Sequence, residues 1–525
     1  MSTLIMQVQG GSMALEKSSR GLSKSCILII VVASVERFAY KGVASNLLSY
    51  LTGHVKMSTS SAAKSVSTWI GVTSMLPLVS AILADSYWDR YSTIMASSLL
   101  YVIGLVGLTS WALLCAWMPT SSLFLPLYLI SIGQGGYNPS LQAFGADQLE
   151  IDDGRLPRSE EEGKSDKKSL FFQWWYFGIC SGSLLGNSVM SYIQDTFGWG
   201  LGFAIPTAAM AISVACFRCG SRFYVNKQLK IPNSPFQSII QAVKLAVTRG
   251  ARSKTISLPP RDVSVQLELQ EKPLREDSDR CDDMAGEAPG VAKTILRLLP
   301  IWMMLLMFAV IFQQPVTFFT KQGMMMRRSI GSSFVIPPAM LQSAITISII
   351  LIMPLYDKLI IPFLRLVTRR EKGIDVLQRI GIGMCVSIVA MVVAAVAESK
   401  RRTHESLRVD SQRLTIFWLL PQYILLGISD VFTVVGMQEF FYMQVPTNMR
   451  TIGIGLYLSV FGVGSFLTAL LISVLELMSN TRGKSHGWFS DDAREARLDK
   501  FYWILALLSS ISFLMFAYLC RYYSR

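Results

Sequence analysis

The sequence predicts an all-α membrane protein with twelve transmembrane helices in two six-helix bundles. Three observations predict it. Of 525 residues, 51% are hydrophobic and 16% are charged, where a soluble chain carries about a quarter charged residues. Mean hydropathy is +0.41. The apolar residues also fall in blocks long enough to cross a hydrocarbon core of about 30 Å. Ile301–Ile311, Ala344–Met353 and Ile382–Ala397 contain no charge. In lipid each backbone must satisfy its own hydrogen bonds, so such blocks are helices.

In chain order the predicted spans are 26–51, 66–85, 93–116, 123–144, 170–194 and 200–220, then 296–319, 338–356, 376–397, 414–436, 451–475 and 500–520. They divide the chain into a tail (1–25), a first bundle (26–222), a linker (223–292) and a second bundle with a short tail (293–525). The linker holds Lys227, Lys230, Lys244, Arg249, Arg252, Lys254 and Arg261. By the positive-inside rule it is cytoplasmic, and six spans on each side bring both termini there too. Arg365, Arg369, Arg370 and Lys372 agree, whereas Arg401, Arg402 and Arg408 fall in a loop on the opposite side. Within the linker, Pro235–Thr248 reads as an amphipathic surface helix, with Phe236, Ile239, Ile240, Val243 and Val247 at helical spacing. Leu258–Ala288, rich in Pro, Asp and Glu, reads as mobile.

The formal charge is +14. Its basic residues lie between apolar spans, so it reports membrane orientation rather than nucleic-acid binding. Cys216 and Cys219 form a CxxC without a matching Cys or His cluster, so metal or redox chemistry is not expected and helix packing is. No cofactor is expected. The N-terminus shows no cleavable signal pattern. His54, His404 and His486 read as loop residues. No span holds a metal-like or triad-like cluster, which argues against an enzyme. Trp174, Trp175, Trp418 and Trp503 read as interface anchors.

An ionisable residue within a span is a site candidate, because it is costly there. The first span has Glu36, Arg37 and Lys41; the tenth has Asp430 and, near its end, Glu439. Arg37 and Lys41, four apart, share a face, and Glu36 shares the neighbouring one with Tyr40. Two readings stand: an anion site offset by Glu36, or internal pairs of Glu36 with one cation and Asp430 with the other. Gln313 and Gln314 offer donors to an anion, or cap backbone groups freed by Pro315. Gly133, Gly135, Gly136 and Pro139 allow close approach and bending of the fourth helix.

Several ordered stretches carry a family resemblance. They are Asp85-Ser86-Tyr87-Trp88-Asp89-Arg90-Tyr91, Phe144-Gly145-Ala146-Asp147-Gln148, Phe171-Phe172-Gln173-Trp174-Trp175-Tyr176-Phe177, Arg297-Leu298-Leu299-Pro300-Ile301-Trp302, Glu439-Phe440-Phe441-Tyr442 and Leu498-Asp499-Lys500-Phe501-Tyr502-Trp503. From about Val31 onward the chain resembles the proton-dependent oligopeptide transporter family of the major facilitator superfamily, in its plant nitrate and peptide branch. The resemblance implies alternating access around a midplane cavity. It implies a small-molecule substrate, nitrate or a similar anion first and di- or tripeptides second, usually with protons. Asp85 and Arg90 would then belong to a cytoplasmic gate loop. Thr93 would match a regulatory phosphorylation position, or be an ordinary helix-start threonine.

The chain departs from the family pattern. In the first helix Ala33 replaces a glutamate and Lys41 a tyrosine; in the fourth, Asn138 replaces a lysine. The missing glutamate and lysine are partners in proton coupling, so atypical or absent coupling is expected. Phe312 stands where the family's best-known nitrate site has a histidine. The candidate set is therefore Glu36, Arg37, Tyr40, Lys41 and Asn138 from the first half, with Gln313 and Asp430 from the second. The sequence leaves plasma membrane and vacuolar membrane both open, and leaves an added sensor role open.

Overall fold

A computed structural model describes residues 23–87, 90–114, 118–153, 161–224, 297–331, 334–356, 366, 375–406, 414–444, 450–480, 488–492 and 495–523. Helix underlies every predicted span. The major helices are α1 Lys24–Ala44, α2 Thr59–Tyr87, α3 Arg90–Leu114, α4 Phe124–Asp153, α5 Glu161–Leu185 and α6 Trp199–Cys219. They continue with α7 Arg297–Phe312, α8 Ser343–Leu355, α9 Val376–Ser406, α10 Leu420–Met443, α11 Arg450–Asn480 and α12 Leu498–Tyr523. One short hairpin, β1 (Ser329–Ile330) with β2 (Phe334–Val335), follows the seventh span. The tail, most of the linker with its amphipathic segment, and the basic connection after α8 lie outside the described residues.

Two spans predicted as continuous are broken. The first bends after Ala44 and resumes as Leu47–Ser49 and Tyr50–His54. The seventh stops at Phe312 and resumes at Phe318–Met324. Pro315 has no N–H, so the ladder cannot run through. Side chains take up the groups this frees: Gln314 Nε2 donates to Val310 O at 2.8 Å, Thr317 Oγ1 to Gln313 O at 3.0 Å and Thr320 Oγ1 to Pro315 O at 2.8 Å. Pro77, Pro139, Pro206 and Pro354 are accommodated inside their helices.

The first six helices pack among themselves, and α8 to α12 do likewise. Between the groups, α2 lies along α11 and α5 meets α8. Close contact relies on glycine. On α5 and the turn that continues it, Gly178, Gly182 and Gly186 recur every four residues against α1. A Cβ on Gly186 would lie 2.8 Å from both Lys41 Cβ and Phe38 O. This small-residue seam draws α5 onto the stretch of α1 that carries Arg37 and Lys41. Gly133 and Gly135 act similarly on α4, where a Cβ would meet Tyr101 N or Leu76 Cβ at 2.6 Å.

The expectation that Cys216 and Cys219 pack between helices is wrong, because both are exposed. The face of α6 that carries them points away from α1 and α3, the helices it packs on. His54 and His404 end helices rather than lying in loops. Of the arginines at odds with the charge rule, Arg408 lies outside the described residues, and Arg401 and Arg402 are not free loop charges. Arg401 is 2% exposed and grips Glu398, itself 0% exposed, through Nε–Oε2 at 3.0 Å and Nη2–Oε1 at 2.7 Å. Arg402 pairs with Asp499 of α12 at 3.0 Å. Each is answered by a carboxylate, so neither weighs on the orientation as a loop cation would.

That buried pair yields a test. Glu398→Ala leaves the Arg401 guanidinium without its two-pronged partner in the interior, at a cost of about 3–5 kcal/mol. The expected result is loss of accumulation in membranes. Replacing both residues together by Leu and Met restores most of it, as read by protein abundance and thermal unfolding in detergent.

Candidate functional site

The two groups of helices are sealed at the end away from the linker. Lys64 of α2 meets Glu476 of α11 at 2.8 Å, and Arg328 meets Asp195 at 3.1 Å. Tyr192 stacks on Phe334 with centroids 5.4 Å apart. Gln342, 3% exposed, donates from Nε2 to Ser45 O at 2.9 Å, at the bend of α1. Asp491, before α12, accepts from the Thr59 N–H at 2.9 Å and from its hydroxyl. It also lies 3.7 Å from Lys321 Nζ. The carboxylate thus answers the first turn of α2 from the other half of the molecule, where a helix end favours negative charge.

Below this seal lie the intramembrane charges. Glu36 is 0% exposed and faces Gln134 and Asn138 of α4, with Arg37 as its cationic neighbour. Neither carboxylate oxygen has a hydrogen-bond partner within 3.5 Å among the described residues, so the two amides face it at longer range. Arg37, Lys41, Asn138 and Asp430 are half-buried. Arg37 lies 5.9 Å from the Tyr40 ring centroid, and Tyr40 leans on Trp69 at 5.8 Å. Lys41 and Asp430 interact electrostatically across the interface. Neither Arg37 nor Lys41 is in an ion pair within 4.0 Å among the described residues. The structure therefore joins Glu36, Arg37, Tyr40, Lys41, Asn138 and Asp430 around one region, with the charges near one another and not in contact.

Other expected residues stand elsewhere. Gln313, 5% exposed, sits in the break of the seventh span. Phe312 stacks with Phe308 at 5.9 Å and meets Phe461 at 5.8 Å, an apolar wall. Arg90 begins α3, and Thr93, in its first turn, is 8% exposed. The Asp85 side chain lies outside the described residues. Glu439 pairs with Arg379 at 3.5 Å, away from the central charges.

Sequence reasoning missed four neighbours. Tyr457 of α11 interacts with Asp430 and Arg37. Tyr176 and Cys180 of α5 lie near Asp430. Gln134, 4% exposed, lies one turn before Asn138. Only Gln134 carried a signal, as a polar residue sharing a helix face with Asn138. The others are ordinary span residues until the halves are brought together.

Helical groups sealed at one end around charges near mid-membrane make a membrane carrier. Comparison with known proteins agrees. Residues 91–489 match PTR2, the POT family. The chain belongs to the POT family and is a multi-pass membrane transporter, not an enzyme. Among its relatives is Protein NRT1/ PTR FAMILY 5.9 of Arabidopsis thaliana, 51% identical over 97% of both chains. Protein NRT1/ PTR FAMILY 5.10 of the same plant is 42% identical, over 97% of this chain and 94% of that one. The crystal structure of the POT family transporter PepTSo superposes with a TM-score of 0.73 at 18% identity, covering 96% of this chain and 99% of that one. That likeness shows the shared twelve-helix fold.

The seal can be tested at Asp491. Asp491→Ala removes a capping carboxylate worth about 1 kcal/mol. The closed population of the seal is expected to fall about fivefold relative to the open one. Distances between spin labels at Lys56 and Ile330 then broaden toward longer values, while α-helical content stays unchanged.

Proposed function

We propose that the chain carries a small anion, nitrate or one of similar size and charge, by alternating access, with Arg37 and Lys41 as its contacts. The supporting observation is the pair itself: two half-buried cations one turn apart on α1, each without a contact ion pair among the described residues. Isolated charge in a low-dielectric interior is costly, and a bound anion offsets it in each transport cycle. Glu36, facing the amides of Gln134 and Asn138, moderates the positive field. With the linker on the cytoplasmic side, the sealed end faces outward.

Asp430 supports a second reading. A carboxylate opposite two cations also suits a zwitterion, with its carboxylate on Arg37 and Lys41 and its amino group on Asp430. A di- or tripeptide has that form. Uptake into proteoliposomes of nitrate, chloride and dipeptides, each with and without a pH gradient, separates the readings. Peptide uptake without nitrate uptake overturns the first.

In that assay Arg37→Ala and Lys41→Ala are each expected to lower transport at least about tenfold, with protein abundance near normal. Normal abundance with normal transport in both variants rules out the site. Loss of abundance marks them as structural partners instead, because a stranded charge costs about 3–5 kcal/mol.

Coupling follows from the same inventory. Ala33 and Asn138 cannot exchange a proton in the physiological range. Of the two remaining carboxylates, Glu36 has Arg37 beside it on α1, whereas α10 carries no cation beside Asp430. Asp430 remains as the proton carrier, or there is none. If Asp430 is the carrier, Asp430→Asn abolishes pH-driven accumulation and leaves counterflow exchange intact. If transport is uncoupled, flux follows substrate gradient and voltage with little response to pH. Strong proton-driven uptake that survives Asp430→Asn defeats both versions.

A further inference from the structure

The last turns of α9 read Lys400-Arg401-Arg402-Thr403-His404, four basic residues within five positions. The structure splits them. Arg401 and Arg402 turn inward onto Glu398 and Asp499. Lys400 and His404 turn outward, with no carboxylate partner among the described residues. Both line a cavity of about 370 Å³, together with Val396, Ser399, Thr403 and Trp418. Lys400 Nζ stands 4.4 Å from the Trp418 ring centroid, and Trp418 is 45% exposed.

The cavity has an apolar approach. Ile382, Cys385, Val389 and Val396 are exposed along α9 at helical spacing, and they lead up the helix to Lys400. Val389 and Val396 are 46% and 43% exposed, as expected for side chains against acyl chains. The cavity thus has an apolar track below, a tryptophan at interface level and two basic groups above. The Ser399 and Thr403 hydroxyls are already committed to Ala395 O and Ser399 O, so the polar recognition falls to Lys400 and His404.

We propose that this cavity is a phospholipid site in the leaflet opposite the linker. The phosphodiester would be held between Lys400 and His404, with one acyl chain along Val396 and Val389. Charge complementarity selects the head group, since basic groups at a membrane surface attract lipid phosphate. The apolar track selects a lipid over a free anion. Trp418 holds Lys400 over its ring and sets the depth of the head group, as interfacial tryptophans do. The site is separate from the central charges, so it stands whatever the transported solute is.

The test uses the purified, delipidated full-length protein and a phosphatidylglycerol carrying a photoactivatable acyl chain. Peptide mapping is expected to place the crosslink within residues 382–418. Unlabelled phosphatidylglycerol should compete it away, and a galactosyl diacylglycerol with the same chains should not. Lys400→Gln with His404→Gln should lower the labelling at least about fivefold. Lys400→Arg with His404→Lys should retain it, which separates loss of charge from loss of fold. The proposal is overturned if the double Gln variant labels normally or the phosphate-free lipid competes equally well. It is equally overturned if millimolar inorganic phosphate displaces the lipid completely, which would make the cavity a free-anion site.

Discussion

A charge taken into a low-dielectric interior must be answered, and how each one is answered organises this molecule. Glu398 and Arg401 answer each other in contact, through two hydrogen bonds with almost no exposure. Removing one partner of such a pair is costly, but both residues lie on α9, three apart, so it closes charge within the last turns of that helix, and the tie to α12 is Arg402 with Asp499. The central charges are arranged differently. Glu36, Arg37, Lys41 and Asp430 lie near one another without closing a contact. A site that closed on itself would have nothing left for a substrate. Open electrostatics at the centre and closed pairs at the periphery divide the proposed site from the scaffold.

Placing that centre depends on how closely backbones approach. Gly178, Gly182 and Gly186 let α5 lie directly on α1, with Gly186 against Lys41 itself. Small residues replace the hydrophobic drive that lipid cannot supply between helices. The breaks serve the same end. The bend at Ser45 frees a carbonyl that Gln342 takes from the other half, and the break at Pro315 lets Phe318–Met324 carry Lys321 toward Asp491. Irregular backbone inside a membrane is tolerated where protein groups satisfy it, and here those groups form part of the seal.

The same accounting reaches the outer end of α9. Two of its basic residues meet carboxylates inside the protein, and two turn outward to a cavity beside exposed valines. The periodicity of the helix makes this division: Arg401 and Arg402 fall on the packed side, Lys400 and His404 on the exposed side.

The sequence by itself determined the membrane class, the helical character of the apolar blocks and the family, because apolar block length and ordered motifs are local properties of the chain. It also marked Glu36, Arg37, Lys41 and Asp430, since ionisable residues inside apolar blocks stand out without a structure. The tertiary structure alone decided which charges meet. Arg401 reads as a loop cation until its helix is extended and Glu398 falls one turn below it. Tyr457, Tyr176 and Cys180 look like ordinary span residues until α11 and α5 are set beside Asp430. Cys216 and Cys219 look packed until α6 shows which face it turns outward. Contacts between residues hundreds of positions apart depend on how helices rotate and cross, and neither is encoded in any single span.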